Sequence, residues 1–150
     1  MKPKLSKSMS AGELMSRLQS DPEWVRKNAE REANRITIAK QRREEVREEE
    51  TPLLADLVAV GINVESIWDL VNTKSAYPAA IPILSEYLQR VKHPRLREGI
   101  ARALTVREAR GAGGHVVLTE LQRSTEQSPH AVRWALANAL TVIANAGLKL

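Results

Sequence analysis

Ala103-Leu104-Thr105-Val106 recurs as Ala139-Leu140-Thr141-Val142, and this echo at a spacing of 36 residues constrains the fold more than any other feature. The same spacing matches Leu96-Arg97 to Val132-Arg133, Ile100 to Leu136 and Ala101 to Ala137. Upstream, Leu84-Ser85-Glu86 answers Leu118-Thr119-Glu120 at a spacing of 34. A change of spacing between two helices means a loop of different length, which stacked repeats tolerate. Each unit reads as an apolar helix, a short loop with proline, and a second helix patterned Val/Leu-Arg then Ala-Leu. One such pair cannot bury its apolar side alone, so neighbouring pairs must stack.

The pattern resembles the HEAT repeat, especially the short bacterial HEAT-like units, from about Tyr77 to Ala146. The resemblance implies an all-α fold, a short α-solenoid of HEAT-like helical pairs that binds other macromolecules on its surface. It also implies that the second helices of the pairs line the concave face. Composition agrees with a helix stack: 43% of residues are hydrophobic, yet Phe is absent and aromatics make up only 3%.

Along the chain, residues 1–10 read as a disordered basic tail. Residues 11–50 read as an N-terminal helical arm. Ser10 and Glu13 have the spacing of a capping box, and Ser20-Asp21-Pro22-Glu23 starts a second, long and highly charged helix. Thr51-Pro52 is expected to end that helix and open the next, with Gly61 closing it and Asn63 capping another. These two short helices form an atypical first pair, residues 51–73, within a repeat domain spanning residues 51–150. The repeats proper cover 77–110 and 114–146, with Gly111-Ala112-Gly113-Gly114 as the loop between them. Val142, Ile143, Ala144, Leu148 and Leu150 would leave an apolar end, to be covered by a second copy, by a partner, or by further chain.

Cysteine is absent, which removes disulfides, thiolate nucleophiles and thiolate metal sites. The three histidines, His93, His115 and His130, each fall at the start of a predicted helix, with no helical His pair and no carboxylate cluster beside them. No nucleophile with a positioned base can be read, so no catalytic, cofactor or metal site is expected. No apolar run reaches the about 18 residues a membrane helix needs, and Met1–Ser10 lacks the apolar stretch of a secretory signal. A soluble, cytoplasmic protein is expected.

The expected function is therefore that of a non-catalytic scaffold or adaptor, binding another protein through the concave face and the arm. On the second helices, Arg95, Glu98 and Arg102 lie opposite the buried stripe of the first repeat, and Trp134, Asn138 and Thr141 opposite that of the second. A tryptophan off the buried face beside an arginine has the chemistry of an interface hot spot. Trp24 and Trp68 are expected in the core. The alternative is nucleic-acid binding through residues 90–110, which hold seven Lys/Arg against Glu98 and Glu108. HEAT-like alkyl-base DNA glycosylases grip duplex DNA on a basic concave surface, and Arg95, Arg97 and Arg102 would then contact phosphates. The chain has no catalytic carboxylate beside aromatics to match those enzymes. HEAT-like units also occur in phycobilin lyases, with no residue here to support that chemistry.

Overall fold

The first three helices of this chain start at short polar side chains, Ser10, Asp21 and Ser66, that take up free backbone N–H groups. The structure, a computed structural model, describes residues 8–148, so the basic tail at 1–7 and Leu150 lie outside the described residues. Among the described residues all regular structure is helical: α1 (Ala11–Gln19), α2 (Pro22–Ala59), α3 (Ile67–Asn72), α4 (Ile81–Arg90), α5 (Pro94–Ala103), α6 (Ala112–Arg123) and α7 (His130–Asn145). Short 3-10 turns occur at Pro78–Ala80 and Arg107–Arg110. No helix among them is long and apolar enough to cross a membrane.

The capping box of α1 forms as expected: the Ser10 hydroxyl accepts from the Glu13 N–H, and the Glu13 carboxylate accepts from the Ser10 N–H. At α3 the cap is Ser66 rather than Asn63, again as a reciprocal box, with Asp69 as its second member. Asn63 is passed over: Ile62 and Val64, on either side of it, pack against the core, and the chain between them takes no helical turn.

Thr51-Pro52 does not break the helix. α2 runs from Pro22 to Ala59 with Pro52 inside it, and the Thr51 hydroxyl donates back to the Arg47 carbonyl instead of capping. An interior proline costs on the order of 3 kcal/mol, so this turn must be held by other contacts. Leu53 and Leu57 are fully buried. The Glu49 carboxylate accepts from the Lys92 N–H (2.8 Å) and the His93 N–H (2.9 Å) at the start of α5. Glu50, also buried, accepts from the Ile67 N–H (2.9 Å) at the start of α3. Two adjacent carboxylates thus neutralise the positive ends of two different helices. The Tyr87 hydroxyl adds a bond to Asp56 (2.6 Å), and burial, then this bond, raise its pKa. Beyond the end of α2 the chain is turned by Gly61, in the left-handed region (φ 85°). There the Gly61 and Ile62 N–H groups return to the Val58 and Leu57 carbonyls, as in a Schellman cap.

The chain divides into two compact units, Met1–Arg43 and Glu44–Leu150. The first holds α1 and the start of α2. None of its described residues is buried, and Leu14, Met15, Val25 and Ile36 are exposed. It relies on its caps and on exposed ion pairs such as Lys27–Glu23 and Arg26–Glu30.

In the second unit, α3, α5 and α7 lie side by side, α4 lies beside α6, and each of α5 and α7 also packs on the helix before it. Leu96, Ile100, Ala103 and Leu104, expected inward on α5, are all buried; of Val132, Leu136, Ala139, Leu140 and Ile143, expected inward on α7, all are buried except Leu140, which is half-buried against them. The Gly111–Gly114 stretch is mostly not a loop. Only Gly111 precedes the helix, whereas Gly113 and Gly114 are buried within α6. A Cβ at Gly113 would come 3.1 Å from Ile81 Cγ2, and one at Gly114 only 2.8 Å from Ile143 Cγ2. The turn of the chain is made upstream instead, by the 3-10 segment. At the far end Gly147 (φ 103°) forms the same kind of cap as Gly61. It brings Leu148 back against Gly114 beside Ile143. Of the apolar end expected from sequence, Ile143 is therefore fully buried within the chain.

Gly99 makes the equivalent approach for α5, since a Cβ there would lie 2.8 Å from Ile67 Cγ2 and 3.2 Å from the Trp68 ring. Ile67 is fully buried and cannot swing aside. Gly99→Ala gains up to about 1 kcal/mol of helix propensity, but overpacking of this kind costs about 1–3 kcal/mol. Urea unfolding is expected to show a net loss of stability; an unchanged or raised midpoint would mean that α3 and α5 are not in this contact.

Candidate interaction face

The outward positions of α5 are Arg95, Glu98 and Arg102, spaced so that each side chain reaches the next turn. Glu98, 12% exposed, sits between the two arginines, with Arg102 Nε at 3.0 Å and Arg95 Nη1 at 3.5 Å. Each guanidinium also covers an aromatic ring of a neighbouring helix. Arg95 lies 3.8 Å from the centre of the Trp68 ring on α3, and Arg102 lies 5.1 Å from that of Trp134 on α7. Three adjacent helices thus present one row: Trp68, Arg95, Glu98, Arg102, Trp134. Such cation–π contacts contribute about 0.5–1 kcal/mol each at exposed sites, which biases the arginine rotamers toward the rings.

Trp134 is 49% exposed, so its ring is not used up by the fold. Asn138 and Thr141 follow on the exposed side of α7, and the Thr141 hydroxyl is turned back to the Ala137 carbonyl. All six residues expected at this face are found on α5 and α7, and the first four are linked in sequence, Arg95 to Glu98, Glu98 to Arg102 and Arg102 to Trp134. Trp68 is the member that sequence reasoning missed. It is half-buried, pressed against Gly99 and covered by Arg95. The one hint was Gly99 itself, a small residue in a helix that marks a close approach by a neighbour.

The basic segment 90–110 does not form one patch. Arg97, expected as a phosphate contact in the nucleic-acid alternative, turns inward. Its Nη1 donates to the Leu88 (2.8 Å) and Val91 (3.1 Å) carbonyls at the end of α4, and its Nη2 donates to Glu120 of α6 (3.0 Å). Glu120 is 7% exposed and has Arg123 3.5 Å from its other oxygen. Arg90 is occupied by Glu86 and the Tyr87 ring. His93 caps α5 through Nδ1, which accepts from the Arg95 N–H (3.2 Å), and its Nε2 is 3.7 Å from Glu45. His130 is the first residue of α7, and His115 lies in the first turn of α6. Among the described residues no group of three His, Asp or Glu side chains could hold a metal ion.

Compared with known proteins, the chain matches no family model, no curated protein and no solved structure.

The Arg97–Glu120 pair links α4, α5 and α6, and breaking one side of a buried pair strands the other charge. With Arg123 partly compensating, Arg97→Met is expected to cost about 2–3 kcal/mol in urea unfolding. Arg97→Met combined with Glu120→Leu should recover most of that loss, because no buried charge then remains. Additive losses in the double variant would show that the pair is not coupled.

Proposed function

We propose that the chain is a non-catalytic scaffold that binds another protein on the α3–α5–α7 face, residues 44–148 being a short α-solenoid of HEAT-like pairs. The repeat of sequence supports the solenoid reading, as does the side-by-side order of α3, α5 and α7 over α4 and α6. The observation that carries the binding assignment is Trp134. A large ring left half-exposed on the outward side of a helix whose other side is buried, and flanked by a stacked arginine, is the make-up of a hot spot. Arg95 and Arg102 keep outward N–H groups for acceptors on the partner, while Glu98 prevents the row from acting as a bare positive patch. The inward turn of Arg97 counts against nucleic acid at this face. A second copy docking on the C-terminal end has less apolar surface to use than the sequence suggested, since Ile143 is buried.

Quantitative affinity capture from cell extract tests the reading with three forms of the chain: native, Trp134→Ala, and Arg107→Ala with Arg110→Ala. A protein bound by the native chain should be retained by the arginine variant, whose changes lie in the exposed 3-10 turn. Its affinity for Trp134→Ala should fall by 2 kcal/mol or more, about 30-fold. Equal capture by native chain and Trp134→Ala would remove this face from the proposal.

A further inference from the structure

We propose that the N-terminal part of α2 binds the phosphate backbone of B-form DNA through a basic stripe, a function separate from the protein-binding face. Residues 23–43 hold seven cations (Arg26, Lys27, Arg31, Arg35, Lys40, Arg42 and Arg43) against Glu23, Glu30 and Glu32. Residues three and four apart share a helix face, so Lys27, Arg31, Arg35 and Arg42 lie on one line, with the exposed Ile38 between the last two and Glu45 at its end. At 1.5 Å per residue the line is about 22 Å long. Asn28, Asn34 and Gln41 flank it with amides that donate to phosphate oxygens as readily as to water.

The stripe is free to meet a ligand. Every residue from Val25 to Glu45 is exposed. Arg31 and Arg42 have no ion-pair partner among the described residues, and Lys27 and Arg35 have only the exposed Glu23 and Glu32. Exposed pairs of this kind contribute about 0–1 kcal/mol, so a phosphate displaces them at little cost.

The shape selects among polyanions. A helix of about 10–12 Å diameter fits a B-DNA major groove about 12 Å wide only if it is open all round, as this one is. The deep, narrow major groove of A-form RNA does not admit it. A helix that docks in a protein groove needs an apolar stripe at least about 100° wide. Val25, Ala29 and Ile36 provide only a thin line with small residues between, and Ile38 stands alone on the opposite, basic face, which disfavours an acidic protein.

Fluorescence anisotropy with the full chain and a labelled 20-base-pair DNA duplex of arbitrary sequence tests this. Four phosphate contacts predict that affinity falls about 150-fold between 50 and 200 mM salt. Arg31→Gln, Arg35→Gln and Arg42→Gln together should weaken binding at least about tenfold at low salt, and leave a salt effect of only about 3–4-fold. Glutamine keeps helix propensity, and circular dichroism should show unchanged helicity. Glu30→Gln with Glu32→Gln should act in the opposite direction and tighten binding. Arg95→Gln with Arg102→Gln should change nothing, which separates this proposal from the α3–α5–α7 face. No binding at 50 mM salt, an undiminished affinity in the triple variant, or equal binding of polyglutamate or duplex RNA would each overturn it.

Discussion

Helix spacing in the second unit is governed by three glycines that have no room for a Cβ. Gly99 brings α5 onto α3, Gly113 brings α6 onto α4, and Gly114 brings α6 onto α7. Each contact is made against a branched or fixed side chain, so the distance between axes is set by backbone approach more than by side-chain volume. The arrangement has a direct consequence at the surface. Trp68 fits beside α5 only because Gly99 leaves space, and from there its free side receives Arg95. The row of alternating aromatic and ionic groups across α3, α5 and α7 is thus a by-product of how closely the helices beneath it are packed.

Buried and half-buried charges at helix ends supply the second set of links. Glu49 and Glu50 meet the N-terminal ends of α5 and α3, and Arg97 meets the C-terminal end of α4. Each charge faces a helix end of opposite partial charge, the arrangement that lowers the cost of burying it. Because Glu49 and Glu50 precede Pro52 by only two or three residues, the turn before the proline is fixed from outside the helix. The unfavourable proline is carried through by bonds the helix makes elsewhere.

The sequence was legible where periodicity or a cap motif is local. The spacing of the repeat located α5 and α7, their buried sides, and therefore the outward Arg95, Glu98, Arg102 and Trp134. Ser10 with Glu13 and the glycine at 61 were legible for the same reason. What failed depended on partners distant in the chain. Pro52 reads as a break because the bonds holding it come from residues 67, 92 and 93. Gly113 and Gly114 read as a loop because composition does not reveal the side chains pressed against them. Arg97 reads as a surface cation because its acceptor, Glu120, lies 23 residues on. Trp68 lies outside the repeat register, so no matching position pointed to it.

The two surfaces use arginine in opposite ways. On α5 each outward guanidinium already has a carboxylate on one side and a ring on the other, so a partner gains little from charge alone. What remains there for a partner is shape, the Trp134 face and a few N–H groups of already paired guanidiniums, together less sensitive to salt than a free cation. On the first part of α2 the guanidiniums stand in water with weak or no partners, and attraction there is long-range and screened. A ligand that follows ionic strength belongs to the second surface, and one that follows the loss of a single aromatic ring belongs to the first. The distribution of Glu98, Glu120 and the tryptophans, far more than the total number of basic residues, decides which arginines are free to attract an anion.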